Sequence, residues 1–182
     1  MFRCAGRLLV LSSLLTAVAQ GQLVLSVRAG LVHHLDGQVF VASQIVPHDP
    51  NRFTRIAEGQ TLRTEEGRAE ILLGPGSILR VANFSEIRLL SDDVSQVKVE
   101  VLEGSVIVAV SQLSRNCTVE VKYADATFRI RDRGLYRFDI LPAVERWLRV
   151  FRGQGFLVSP ELEQRLRAGQ MAFVANVSNR IT

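Results

Sequence analysis

The segment VKVEVLEGSVIVAV, residues 97–110, carries the pattern that predicts the fold of this chain. Valines alternate with other residues on both sides of Gly104. A period of two is typical of a strand with one buried face, and glycine bends a chain at positive φ without a Cβ clash. The segment therefore predicts two short strands joined by a glycine hinge.

The same glycine-hinged unit recurs along the chain. It is found as LDGQVFV at 35–41 and FRGQGFLV at 151–158, and more loosely as EGQTLRT at 58–64 and AGQMAFV at 168–174. Units too small to bury their own apolar face must stack on neighbours, although the varying period here is not that of a clean repeat array. We expect structural hinge glycines at Gly37, Gly59, Gly104, Gly134 and Gly153.

Most of the remaining chain alternates in the same way, for example at 69–73, 119–123 and 128–133. These runs predict an all-β fold of many short Gly-hinged strands, arranged as a roll or a short β-solenoid-like sandwich. A short helix over 159–168 competes there with a turn or a strand. We expect a surface loop at 46–55, which holds two prolines, and a frayed tail at 176–182.

The first residues have the layout of a secretory signal peptide. Arg3 and Arg7 precede an apolar run over 8–18, and Ala17 and Ala19 offer the small residues of a cleavage site before Gln20. The run is shorter than the ~20 residues that span a bilayer, although an uncleaved anchor is the alternative. We expect a signal peptide at 1–19, a single domain at 20–182 and no later transmembrane segment. The protein would then be periplasmic or secreted.

Charge and cysteine content narrow the range of partners. Removal of residues 1–19 lowers the formal charge from +4 to +2, since two arginines are lost. So small a charge in an extracytoplasmic protein argues against nucleic acid as a partner. Cys117 is then the only cysteine, so no intramolecular disulfide can form, and its strand position predicts burial as a small hydrophobe.

The order of these motifs resembles the FecR family. A glycine precedes a strand ending in Thr64, an Ala- and Leu-rich strand follows up to a glycine turn, and a third strand ends near Ser85. The hinge at 102–110 completes the pattern, and RDRGLYRFDI and WLRVFRGQGFLV are similar to the family's closing strands. The resemblance covers roughly residues 29–175. The chain departs from the family pattern at Pro75 and Leu135, where Asp and Thr are common.

The resemblance implies an exported β module without a cofactor that binds or scaffolds a component of the cell envelope, a protein or a polysaccharide. The best-known family members regulate iron uptake through a cytoplasmic tail that engages a sigma factor. Few residues precede the apolar run here, so we expect no cytoplasmic sigma-factor contact. Two alternatives stay open: an enzyme acting on cell-wall glycan through paired carboxylates, and a purely structural protein of an envelope assembly.

The residues themselves offer little catalytic chemistry. The adjacent pairs Glu65-Glu66 and Asp92-Asp93 fall in turns, whereas a glycosidase needs two carboxyls ~5–9.5 Å apart across a cleft. His33 and His34 are neighbours on a strand and should point to opposite faces, so they are poorly placed to share a metal. We therefore expect no catalytic residue, no cofactor and no metal site.

One basic cluster is a candidate partner-binding site. Arg129, Arg131 and Arg133 would line one face of one strand, spaced ~6.5–7 Å apart. They could dock an anionic glycan or protein. The alternative is a cross-strand charge ladder, with acids at Glu100, Glu103 and Glu120 on nearby strands.

Overall fold

The structure, a computed structural model, describes residues 28–49, 53–123, 125–140, 146–160 and 163–173. These residues form strands and no helix, which confirms the all-β prediction. No helix among them is long and apolar enough to cross a membrane. The expected signal segment at 1–19 and the expected tail at 176–182 lie outside the described residues.

The strands are β1 (Leu31–Val41), β2 (Gln44–Ile45), β3 (Thr54–Arg55), β4 (Thr61–Gly74), β5 (Ser77–Val81), β6 (Glu86–Ser91), β7 (Gln96–Val110), β8 (Thr118–Tyr123), β9 (Ala126–Ile130), β10 (Gly134–Ile140), β11 (Arg146–Arg152), β12 (Gln154–Val158), β13 (Glu163–Arg167) and β14 (Met171–Phe173).

One continuous sheet folds over to make two layers. Layer I runs in the order β3, β1, β4, β5, β7, β10, β11, β14, and layer II in the order β2, β1, β4, β6, β7, β8, β9, β12, β13. The long strands β1, β4 and β7 belong to both layers, each with one half in either layer. Strands β7 and β8 pair in parallel, and the other strand pairs are antiparallel. This arrangement confirms the predicted roll or sandwich.

Gly104 marks the bend of β7 between the two layers. Residues before it pair with β6 and β8, and residues after it pair with β5 and β10. Its φ is +82°, and a Cβ there would lie 2.2 Å from Ser85 Oγ. Only glycine combines that backbone conformation with so close a neighbour.

The other expected hinge glycines lie at similar corners. Gly37, Gly59 and Gly153 also have positive φ, and Gly37 pairs directly with Gly67 where β1 and β4 bend together. Gly134 differs, because its φ is not positive. A Cβ at Gly134 would instead lie 2.2 Å from the Tyr136 hydroxyl, so glycine leaves room there for a buried ring.

The two layers enclose one apolar core. The valines of 97–110 that alternate in sequence are all buried, as are those at 119 and 121. Phe128 of layer II contacts Tyr136 and Phe138 of layer I, with ring centroids 5.4 and 5.9 Å apart. Burial is the main cause that raises the pKa of Tyr136 to about 12. Its hydroxyl stays neutral and donates to the Gln154 carbonyl at 2.8 Å.

The structure decides one open alternative and corrects two local expectations. Residues 163–167 form the strand β13, one of the alternatives to a helix there, and Leu166 is the one buried side chain of this strand, which pairs with β12. Cys117 precedes β8 and is half-buried, not buried. Within the expected loop at 46–55, Thr54 and Arg55 pair with β1 as β3.

Candidate functional site

Polar side chains cover the outer face of layer I. Opposite residues on neighbouring strands of an antiparallel sheet share a face, about 5 Å apart. The strand register therefore places one row across the layer on this face: His34, Glu70, Arg80, Ile107, Arg137, Arg149 and Met171. The row thus contains three arginines and one histidine, together with one acid and two apolar side chains.

Asp139 holds two of these arginines in place. Its side chain is only 5% exposed, and it accepts hydrogen bonds from Arg137 Nε at 2.8 Å and from Ser105 Oγ at 2.6 Å. Arg149 also forms an ion pair with it. Two guanidinium groups around one carboxylate leave a net positive charge. Each arginine side chain remains about 40% exposed, so unused N–H donors face solvent.

A cleft of about 470 Å³ lies beside this cluster on the same face. Among its lining residues, Arg80 Nε donates to Glu70 Oε1 at 2.7 Å. The Arg68 guanidinium lies 3.4 Å from Asp36. Ser105 and Arg137 also line the cleft. The cleft is therefore an open trough with both apolar and charged side chains in its lining, and ion pairs orient its arginine side chains before any ligand arrives.

The predicted arginine row at 129–133 is not one strand face. Strand β9 ends at Ile130, so only Arg129 lies in it, and Arg129 Nε donates to Glu120 Oε1 at 2.9 Å. Arg131 and Arg133 follow in the exposed turn before β10 and form no ion pair with other described residues. The structure thus places the three arginines in two different settings.

Two acids of layer II anchor the cross-strand charge ladder that was the alternative to a docking site. Glu120 lies between Arg129 and Lys98, and Glu100 lies between Arg88 and Lys122, at 2.8 to 3.4 Å. Burial alone would raise the pKa of Glu120. The hydrogen bond from Arg129 and the charges of Lys98 and Arg129 outweigh burial, so the pKa is lowered on balance.

The acidic pairs lack the environment of a general acid. Glu65 forms an ion pair with Arg63 at 2.9 Å, and Asp92 with Arg28 at 3.0 Å. Hydrogen bonds from the backbone and side chain of Ser95 lower the pKa of Asp93. A general acid at neutral pH needs the opposite shift, towards a raised pKa.

The histidines line a smaller cleft of about 250 Å³. His33 and His34 are both exposed, because a β-bulge between Val32 and His34 interrupts the alternation of β1, and His48 and Asp49 lie across from them. Among the described residues, no group of three His, Cys, Asp or Glu side chains could hold a metal ion.

The sequence interpretation missed Asp139 and its partners. Alternation in β10 places Arg137 and Asp139 on the same face, and that signal was available in the sequence. The contacts with Ser105 and Arg149 depend on the register of β10 against β7 and β11, and alternation within one strand does not define that register.

Comparison with known proteins supports the resemblance. Residues 60–141 match the model of the family described as "FecR protein". Two crystal structures of a protein from Parabacteroides distasonis ATCC 8503, described as a "putative anti-sigma factor", have a TM-score of 0.55 at 15% and 16% identity. Each match covers 63% of this chain and 54% of the other, so this chain spans about half the length of that protein. No curated protein matches the chain.

At these identities the structural likeness shows a shared fold. The matched range runs from the start of β4 to the end of β10, and it includes the bend at Gly104 and the cleft arginines Arg80 and Arg137. Over residues 60–141 the chain is therefore similar to the FecR family.

Proposed function

We propose that this chain is an exported, non-enzymatic FecR-type β module that binds an anionic polysaccharide of the cell envelope. The observation that carries the proposal is the cleft on the outer face of layer I, which Arg80 and Arg137 line. Arg149 lies beside Arg137 on the neighbouring strand, and buried or half-buried acids orient all three arginines. Preset arginines bind carboxylates with two parallel hydrogen bonds and lose little side-chain freedom when they do so.

A polysaccharide fits this cleft better than a protein surface does. The centre of a protein interface is depleted of charged residues and enriched in aromatic ones, whereas charged side chains surround this trough. An acidic sugar chain presents carboxylates at intervals along an extended strand and can lie across several β-strands. An anionic envelope protein is the alternative partner.

Fold and site chemistry support a binding role. The P. distasonis protein is described as a "putative anti-sigma factor", but a fold likeness at 15% identity leaves the partner to be argued from the surface. The rival enzyme would need a carboxyl group with a raised pKa beside a second carboxylate. The described carboxyl groups with a resolved pKa shift, those of Asp93 and Glu120, are shifted downwards.

The test compares two double variants of equal charge. Arg80→Gln with Arg137→Gln removes two cleft arginines and keeps Arg149 as the partner of Asp139. Arg131→Gln with Arg133→Gln is the matched control in the exposed turn. Polygalacturonate, a polyanionic sugar chain, serves as the probe in affinity measurements at rising salt.

We expect the wild type and the turn variant to bind polygalacturonate alike, with an affinity that falls as salt screens the charges. The cleft variant should bind roughly tenfold more weakly or worse, because each lost contact is a charge-assisted hydrogen bond. Equal binding by both variants would refute the cleft. Loss only in the turn variant would move the site to Arg131 and Arg133.

The same proposal predicts that the signal peptide is removed on export. Mass spectrometry of the protein recovered from the periplasm or the medium should give an intact mass that corresponds to an N-terminus near Gln20.

A further inference from the structure

The turn between β5 and β6 contains an aromatic residue that the fold does not need. Phe84 has a φ of +49° and a side chain that is 59% exposed. Positive φ is rare for bulky residues, because their side chains then crowd the backbone. The other non-glycine residues with positive φ in the described chain, Ala42 and Ser43, form the two-residue turn between β1 and β2, which favours that conformation.

Several hydrogen bonds hold this turn in its strained form. The Phe84 N–H donates to the Glu65 carbonyl at 2.9 Å. The Ser85 N–H donates to Thr64 Oγ1 at 3.0 Å, and Ser85 Oγ donates to the Asn83 carbonyl at 3.0 Å. The buried neighbours thus fix the backbone, while the Phe84 side chain remains 59% exposed to solvent. Strain that persists at an exposed side chain points to a role in binding.

The ring lies in an open cleft with a polar rim. The cleft has a volume of about 630 Å³ and is lined by Phe84, Gln38, Arg63, Glu65 and Glu66. The Arg63 guanidinium is fixed by its ion pair with Glu65 at 2.9 Å and by the Phe40 ring, 4.9 Å from the ring centroid. The rim therefore offers amide, carboxylate and guanidinium groups around one exposed aromatic face.

We propose that Phe84 is the stacking platform of a subsite for an uncharged pyranose unit. A pyranose ring has one face of C–H groups that packs on an aromatic ring, and its hydroxyls point outward to donors and acceptors at the rim. Arg63 and Glu65 neutralise each other, and Glu66 adds a negative charge, so an acidic sugar is disfavoured here. This subsite is distinct from the arginine cleft, although it rests on the proposed function in taking a polysaccharide as the ligand.

Because Phe84 is exposed, its effect on stability can be measured separately from its effect on oligosaccharide binding. Phe84→Gly removes the ring and relieves the positive φ, so the variant should melt at the wild-type temperature or about 2 °C higher. The same variant should bind uncharged oligosaccharides roughly tenfold more weakly or worse, because the stacking contact is lost. Phe53→Ala is the matched control, since Phe53 is 71% exposed and lies beside a different cleft.

The probes are cellohexaose and the hexamer of N-acetylglucosamine, measured by calorimetry on the full chain at two salt concentrations. We expect the wild type to bind at least one of the two probes, with an affinity that does not change with salt. Phe53→Ala should keep this binding, and Phe84→Gly should lose it. Failure of the wild type to bind either probe, or unchanged binding in Phe84→Gly, would overturn the subsite. Neither result would bear on polygalacturonate, whose binding depends on salt and on Arg80 and Arg137.

Discussion

At the scale of single residues, Gly104 determines where the long strand β7 bends. Its positive φ turns β7 from layer II into layer I, and the space that a side chain would need is occupied by Ser85 Oγ at 2.2 Å and the Phe84 carbonyl at 2.6 Å. Glycine is therefore required twice at this position, for its backbone conformation and for its size.

Gly104→Ala should lower the free energy of unfolding by about 2–5 kcal/mol. Positive φ costs an alanine about 1–2 kcal/mol, and displacement of the packed 84–85 backbone adds about 1–3 kcal/mol. Gly59→Ala is the control, because Gly59 has almost the same φ, +83°, but open space where the Cβ would lie. It should cost about 1 kcal/mol. Urea unfolding of both variants measures the difference, and equal losses would show that the close contact at Gly104 does not matter.

At the scale of single elements, alternation predicted strands well and failed where strands end. The buried valines of β7 and β8 are those that the period of two selects. At 128–133 the alternation in sequence runs on, yet the chain leaves the sheet after Ile130. There Gln154 Nε2 donates to Asp132 at 3.2 Å, and Gly134 begins the next strand. A contact between residues so far apart in sequence cannot be inferred from the local pattern.

The candidate site could be predicted only in part for the same reason. Arg80 and Arg137 lie on the outward faces of strands that alternation identifies. The two arginines line the same cleft because β5 and β10 both pair with the half of β7 that follows the bend at Gly104. Alternation within one strand does not predict which strands pair. Phe84 was missed because an exposed aromatic in a turn has no periodic signal, and its positive φ is visible only in the folded chain.

The charge ladder of layer II should make stability depend on pH. The folded pKa of Glu120 is lower than its ordinary value of 4.5. Its stabilising contribution is therefore present above pH 4.5 and is lost as the pH falls through the folded pKa. We expect Glu120→Gln to cost about 1 kcal/mol at pH 7 and to flatten the loss of stability on acidification.

Glu103→Gln is the matched control for that ladder. Glu103 is an exposed residue of β7 that forms no ion pair with other described residues. Its replacement should leave the stability curve between pH 3 and pH 7 close to that of the wild type. Thermal unfolding across this range compares the two variants, and parallel curves for Glu120→Gln and the wild type would show that the ladder contributes nothing.

For the whole molecule, three shared strands tie the layers into one unit. Strands β1, β4 and β7 each carry hydrogen bonds in both layers, and the buried side chains of both layers form one core. A layer cannot separate without breaking strands that also belong to the other. The molecule should therefore unfold in one cooperative step, as single domains of this size usually do.

Val121→Ala tests that cooperativity from the side of layer II. Val121 is fully buried in β8, so truncation should cost roughly 2 kcal/mol. The chain's single tryptophan, Trp147, lies on β11 of layer I and reports on that layer by fluorescence. We expect the fluorescence transition and the far-ultraviolet circular dichroism transition to shift together. Val108→Ala, in the layer I half of β7, should move both probes in the same way. A Trp147 transition that stays in place while circular dichroism shifts would mean that the layers unfold separately, and the shared strands would then not couple them.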